Sequence, residues 1–416
     1  MKVLVLGAGV VGTAAAYWLA RDGHDVTVAE RHERCAAGTS QSNAGLVSPG
    51  DAMAWASPAA LKTFIKSLYT PGLGIKVRPS LDPMFLKWTM RFLAQCTDSR
   101  AKANTEVKLR LALYARECIN AIAEGTGITY DERKKGILYF YRSRASLDAG
   151  AHHMQFLADR GLPIEVVGRD RLIALEPGLV AAKDKIAGGV FSPIDQTGDS
   201  RQFTERLAIY AAKHLNVSFS FNTTVTGLDI EGGKVRAVHT SKGQIACDAA
   251  VISLGPESGL FGKAIDIDLP VYPVKGYTAT VPLKNPSLGP TMGGVDDDRL
   301  IAYSRLGNYL RLASTAEFAG FDRSHEPSDF ANLFRTAKEL FPDAFDEKEA
   351  ELWAGLRPMM PNSVPVHGPA RYPNLFLNTG HGHVGWTMAC GSGKLTADLV
   401  AGRKPDIDPS GMLYRN

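Results

Sequence analysis

The chain has 416 residues, of which 45% are hydrophobic and 22% charged, with a formal net charge of +4. This composition supports a large core and two domains or one elaborate one. The small basic excess, without a long basic run, argues against a nucleic-acid partner. Cys35, Cys96, Cys118, Cys247 and Cys390 are scattered, odd in number and free of any CxxC, which excludes a disulfide framework or structural zinc and fits a reducing compartment.

Residues 3–6 (VLVL) read as a short buried strand. They lead into Gly7-Ala8-Gly9-Val10-Val11-Gly12, an apolar helix, and a second strand, Asp25–Ala29, ending at Glu30 and Arg31. This order is that of a dinucleotide-binding unit. Gly7 permits the tight turn, Gly9 lets a pyrophosphate approach the backbone, and Gly12 lets helix and strand pack closely. The helix N-terminus offers free N–H groups and a partial positive charge to phosphate. Glu30 is placed to take ribose hydroxyls. The uncharged stretch 3–20 could pass for a signal peptide, but three glycines at this spacing and the matching second strand argue against it.

A loop of small and polar residues follows, Gly38 to Gly45, with Ser42, Asn43 and Ala44 offering close approach and hydrogen bonds before Leu46. Residues 58–70 and 83–95 are predicted as amphipathic helices, the second with Trp88, Phe92 and Leu93 on its buried side. A long helix is predicted over 101–125, a strand over 137–141, a helix over 145–160 and an extended run over 163–167. A strand from Val190 leads through a loop to a helix over 200–214, capped by Asp199 or Ser200. Residues 217–221, 225–230 and 234–240 read as strands, the last two about a Glu231-Gly232-Gly233 turn. Residues 249–254 form a buried strand ending at Gly255, a natural exit toward a cofactor. From Val271 to Ala313 the pattern is that of an antiparallel sheet, and 328–340 is helical. The tail returns to α/β character: Trp353–Pro358, a strand over 374–378, the turn Thr379-Gly380-His381-Gly382-His383-Val384-Gly385-Trp386, and a helix from Thr387. That turn is a second site where N–H groups converge. His381 and His383 lack acidic or cysteine partners nearby, so no metal site is expected.

The expected fold is therefore α/β, with a discontinuous Rossmann-type dinucleotide domain (1–50, 190–260 and 353–416). An α+β substrate domain (51–189 and 261–352), built on an antiparallel sheet, is inserted into it.

The motifs in order resemble the D-amino-acid oxidase and glycine oxidase superfamily, most closely its bacterial D-amino-acid dehydrogenase branch. The carriers are Gly7–Gly12 with Glu30, Ser42–Gly45, Val271–Tyr277, Gly355–Met359, Asn378–Gly382 and Gly385–Gly393. The resemblance implies FAD as cofactor and an amino acid as substrate. Gly7, Gly9, Val10, Val11, Gly12, Glu30 and Arg31 would hold the pyrophosphate and ribose. Ser42, Asn43, Ala44, Gly45 and Leu46 would lie along the flavin. Val225 and Gly255 would line the adenine side, and Gly382, His383, Val384, Gly385, Trp386 and Thr387 the pyrimidine edge, where N–H groups stabilise negative charge.

Arg357 stands at the family position that grips the substrate carboxylate, a role its bidentate fork suits. Tyr272, Tyr277, Tyr303, Lys275 and His383 are further candidates for the catalytic pocket. The implied reaction is oxidative deamination by hydride transfer from Cα to flavin N5, from an amine that has lost its proton, with no dedicated protein base required. Electrons would pass to a quinone or another respiratory acceptor, implying a cytoplasmic protein with peripheral contact at the inner membrane. Pro361-Asn362-Ser363 and His383 depart from the usual pattern and suggest a specialised branch, acting on D-proline or hydroxy-D-proline. The competing expectations are an oxygen-using oxidase of the same fold, and a non-catalytic dinucleotide-binding redox sensor, against which Arg357 and the second glycine turn argue.

Overall fold

The computed structural model describes residues 1–67, 74–78 and 80–415, so the expected helical residues 68–70 lie outside the described set. A six-stranded sheet runs in the order Val366–Pro369, Leu375–Thr379, Ala249–Ile252, Lys2–Leu6, Asp25–Ala29, Ser218–Ser220. All its pairs are parallel except the one to the edge strand Val366–Pro369. Its central strand is buried over Val3–Leu6, as a continuous apolar run flanked on both faces should be.

The helix Val10–Arg21 packs against Gly385–Val400 and Ser200–His214. The helix–helix approach is close because a Cβ on Gly393 would stand 2.7 Å from the Ala14 backbone, and one on Gly391 would stand 2.8 Å from Ala115. The glycines of the tail motif therefore serve packing. Asp199 caps Ser200–His214, its carboxylate accepting from the N–H groups of Arg201 (2.8 Å) and Gln202 (3.1 Å).

The second sheet has nine strands: Glu351–Met359, Tyr272–Pro282, Tyr309–Phe318, Ile301–Leu306, Gly293–Asp296, Ile137–Tyr141, Gly188–Ser192 and Glu165–Gly168, with Ile75–Val77 beside Tyr309–Phe318. It is mostly antiparallel, but Gly293–Asp296 runs parallel to Ile137–Tyr141, and Ile75–Val77 parallel to Tyr309–Phe318. The strands between Val271 and Ala313 pair antiparallel with one another, as expected, and the parallel pairs join them to strands from earlier in the chain. Glu351–Met359 was read with the dinucleotide segment. It instead pairs with Tyr272–Pro282, setting Arg357 opposite Val274 and Gly355 opposite Gly276. The boundaries at 190 and 353 therefore fall inside strands of the large sheet.

The helix Pro83–Gln95 buries Trp88, but Leu93 is exposed, contrary to expectation. The helix is apolar on two faces, and Trp88 with Met84, Phe85 and Phe92 turns the other one inward.

Candidate active site

A single cleft of about 830 Å³ runs from the first glycine turn to Arg357, between the parallel sheet and the large sheet. At one end, Gly7 adopts φ +103°, and a Cβ there would stand 2.6 Å from the Ser253 carbonyl oxygen. A Cβ on Gly12 would overlap the Gly7 carbonyl, so Gly12 shapes the turn without lining the cleft. The Glu30 carboxylate lines the cleft and is already fixed, accepting from the N–H groups of Ala8 (2.7 Å) and His32 (3.0 Å). The Ser40 hydroxyl accepts from the Val10 N–H at 3.0 Å, a contact that no motif in the loop marks. Arg31 closes the rim on Glu257 at 2.7 Å, and Arg323 meets the same carboxylate at 3.0 Å.

Ser42, Asn43, Ala44 and Leu46 from the loop, Val225 and Gly255, and Gly382 to Thr387 from the tail turn also line the cleft. Gly45 does not line the cleft. It holds the loop down at φ +71°, where a Cβ would meet Ser304 Oγ at 2.7 Å. Asn43 accepts from the Gly45 N–H at 2.9 Å, Ser304 donates to the Ala44 carbonyl at 2.8 Å, and Arg311 donates to the Asn43 carbonyl at 2.9 Å. Thr387 Oγ1 accepts from the Ser48 N–H at 3.0 Å, tying the tail turn to this loop.

At the inner end is Arg357. Its Nη1 donates to the carbonyls of Thr315 (2.8 Å) and Lys275 (3.3 Å), and its guanidinium lies against Gly276, where a Cβ would stand 2.5 Å from Cζ. Among the described residues no carboxylate lies within 4.0 Å of it. Burial lowers its pKa to about 10, so it stays a cation at neutral pH. Around it stand Asp51, Trp55 and His383, whose ring stacks on Trp55 at 4.8 Å. His383 is held neutral by burial and by the nearby charges of Lys108 and Arg357.

Four of the expected pocket residues do not line this cleft. Gly276, Thr278 and Ala302 do, so strand alternation turns Lys275, Tyr277 and Tyr303 to the opposite face. Lys275 there donates to the Ser324 carbonyl at 2.9 Å, near Asp322 and Glu317. Tyr277 donates to Glu317, and Tyr303 packs on Phe341. Tyr272 lies beyond the cleft under the helix Pro83–Gln95, packed against Trp88 and accepting from the Gly320 N–H at 3.1 Å. Asp51, Trp55, Asp297 and Thr315 were not anticipated; no local motif marks them.

Several buried polar atoms on the cleft wall have no partner among the described residues: both amide atoms of Asn378, the Trp386 indole nitrogen, His383 Nε2 and Ser253 Oγ. Orphaned donors and acceptors along one elongated cavity are what a bound polar molecule satisfies. With the glycine turn at one end, they fit FAD.

Residues 2–399 match the family described as DAO, FAD dependent oxidoreductase. The chain belongs to that family. It is 71% identical over 414 residues to D-amino acid dehydrogenase 2 of Mesorhizobium japonicum, the match covering 100% of both chains. It is 43% identical over 412 residues to D-amino acid dehydrogenase of Bradyrhizobium diazoefficiens, covering 99% of this chain and 98% of that protein. Among solved structures, glycine oxidase from Bacillus cereus superposes with a TM-score of 0.74 at 23% identity, covering 97% of this chain and 98% of that one, a likeness of fold. The enzyme is thus an FAD-dependent oxidoreductase with the glycine-oxidase fold.

Proposed function

We propose that this enzyme oxidises a D-amino acid to its imino acid and passes the electrons to an acceptor other than oxygen. The observation that carries the reading is Arg357, a half-buried guanidinium at the end of the cleft with no carboxylate partner among the described residues. An unpaired, partly desolvated charge is costly unless a ligand completes it, and a bidentate α-carboxylate does so. The D-amino acid dehydrogenases of M. japonicum and B. diazoefficiens supply the substrate class.

Gly7, Gly9, Glu30, Ser42, Asn43, Ala44, Leu46, Val225, Gly255 and Gly382–Thr387 hold the cofactor in this reading. FAD, when bound, supplies the hydride acceptor. The chain's own part is to clamp the carboxylate on Arg357, orient Cα toward the loop Ser42–Leu46, and exclude water with the Trp55–His383 pair. That flat aromatic wall suits a ring, so D-proline or hydroxy-D-proline is the proposed substrate.

We further propose a quinone or similar respiratory acceptor, met at the cytoplasmic face of a membrane. No helix among the described residues is long and apolar enough to cross one. Support comes from Leu86 (44% exposed), Met90 (65%) and Leu93 (47%) on the outer face of Pro83–Gln95, with Leu81 (90%) just before it. Phe92 of the same helix lines the cleft.

Anaerobic titration with D-proline, hydroxy-D-proline and D-alanine, followed by flavin absorbance, tests the reading. Bleaching by one of them is expected, with slow recovery in air. A flavin that none of them bleaches overturns the substrate class, and rapid reoxidation in air overturns the acceptor. Sedimentation with phosphatidylglycerol vesicles tests the membrane contact, which Met90→Glu with Leu93→Glu should abolish.

A further inference from the structure

We propose that Asp51, on the same cleft as Arg357, holds the substrate's ammonium group and takes its proton before oxidation, a base that the family resemblance does not itself require. The proposal rests on the reading above that the substrate is an amino acid.

It begins with the charges that line the cleft. At the dinucleotide end they are matched: Arg31 and Arg323 share Glu257, and Glu30 is held by backbone N–H groups. At the inner end they are not. Among the described residues, Arg357 has no carboxylate within 4.0 Å, and Asp51 has no basic nitrogen that close except His383 Nε2, at 4.0 Å on a ring held neutral. An unpaired guanidinium and an unpaired carboxylate in one cleft mirror an amino acid's own two charges. Arg357 takes the carboxylate, and Asp51 is the complementary group for the ammonium.

The turn that carries Asp51 is rigid. Pro49–Asp51 closes with the Asp51 N–H donating to the Ser48 carbonyl at 3.0 Å. From beneath, the buried Asp195 carboxylate accepts the Gly50 N–H (3.2 Å) and the Tyr139 hydroxyl (2.8 Å). A Cβ on Gly50 would stand 2.7 Å from Asp195 Oδ2, so the close approach requires glycine. The carboxylate itself lines the cleft, with 47% of its side-chain surface open.

Its electrostatic surroundings come from every neighbouring element. Lys108, on the helix Asp98–Thr126, is fully buried and donates to the Met53 carbonyl at 2.7 Å. It draws Asp51 toward the ionised form without occupying its oxygens. Arg357 acts in the same direction, while burial and Asp297, beyond the strand Gly293–Asp296, push the carboxyl pKa above its ordinary value. Asp195 and Tyr139 lie below, and His383 is beside it without charge. The result is a carboxylate basic enough to accept a proton and still available at neutral pH.

The proton step balances simply. One N–H bond of the ammonium breaks, an O–H bond forms on Asp51, and the electron pair stays on nitrogen. That pair then drives the hydride from Cα. Asp51 returns its proton to water once the imino product leaves. Solvent can remove the same proton at high pH, so the base matters most below the amine's own pKa.

The test compares Asp51→Asn and Asp297→Asn with the wild type, each purified with FAD. The kcat/KM for the bleaching D-amino acid is measured from pH 6 to pH 10, and the affinity for benzoate, which has a carboxylate and no amine, by its perturbation of the flavin spectrum. Asp51→Asn is expected to lose about 100-fold or more in kcat/KM at pH 7. It should recover as the pH nears 10, with benzoate binding kept. Asp297→Asn removes a negative charge that raises the Asp51 carboxyl, so its acidic limb is expected to move to lower pH. A uniform loss at every pH, an unchanged Asp51→Asn, or an equal loss of benzoate affinity overturns the proposal. Asp51→Ser replaces Asp51→Asn if that protein loses FAD, and loss of FAD from both overturns the assignment in favour of a structural carboxylate. A wild type that no D-amino acid bleaches overturns the functional reading and this proposal together. A bleached wild type with an unaffected Asp51→Asn overturns this proposal alone.

Discussion

Replacing Gly276 by Ala tests the arginine without altering it. The backbone of Gly276 is not in the left-handed region, so the substitution is tolerable locally. The new methyl would stand 2.5 Å from Cζ and Nη1 of Arg357, where ordinary contact begins at 3.4 Å. The guanidinium must withdraw by about 1 Å, which stretches or breaks its bonds to the Thr315 and Lys275 carbonyls; a displacement of that size costs about 100-fold in rate, or about 2.7 kcal/mol. Stopped-flow measurement of anaerobic flavin reduction reads the loss directly. Arg357→Lys keeps the charge, loses the fork, and is expected to fall by about as much. Both substitutions act through one guanidinium, so the double variant should lose no more than Arg357→Lys alone. A Gly276→Ala enzyme that reduces at the wild-type rate, or a double variant whose losses multiply, would refute the placement of Arg357 on the substrate.

Two stability predictions follow from the same region. Burial pushes the Asp195 carboxyl up to about 7, against 3.8 when unfolded, so its contribution is full below about pH 4 and lost as pH rises to about 7. Asp195→Asn still accepts from Tyr139 and Gly50 but cannot ionise. Its melting temperature relative to the wild type should climb between pH 4 and pH 7, by the equivalent of up to about 4 kcal/mol, and parallel curves would refute the assignment. Tyr303 lies buried with a hydroxyl that has no partner among the described residues. Tyr303→Phe should raise stability by about 1 kcal/mol and leave flavin reduction unchanged, where a catalytic tyrosine would lose rate.

The parts of the site that are local in sequence were legible. The strand, glycine turn, helix and Glu30 lie within thirty residues, and each does a job that few other residue types can do. The tail turn, singled out by its glycines, and Arg357, singled out by the resemblance, both line the cleft. Asp51 is different: one aspartate in a loop carries no signal until the fold sets it in the same cleft as Arg357. The misplacement of Lys275, Tyr277 and Tyr303 is a matter of phase. Alternation says that neighbours on a strand face opposite ways, but only the pairing of Tyr272–Pro282 with Glu351–Met359 and Tyr309–Phe318 decides that Gly276 and Thr278 face the cleft. Leu93 failed for a related reason: a helix apolar on two faces does not announce which one is covered.

Thr315 shows what no sequence pattern reveals. It has φ +65°, rare for a β-branched residue, within the strand Tyr309–Phe318 and beside a register shift between Lys275 and Tyr277. Such a conformation costs about 1–3 kcal/mol, and it persists where surroundings over-determine it. Here its effect is visible: the Thr315 carbonyl accepts from Arg357 Nη1 at 2.8 Å, helping to leave the other side of the fork free for a ligand. Thr315→Gly removes the steric cost and keeps the carbonyl. Glycine's greater freedom in the unfolded chain offsets up to about 1 kcal/mol, so a net gain of about 1 kcal/mol is expected in denaturant unfolding. Thr315→Ala retains a Cβ and should gain nothing. If Ala and Gly stabilise equally, the strain is not at φ, and the carbonyl is held over Arg357 by packing of the threonine side chain instead.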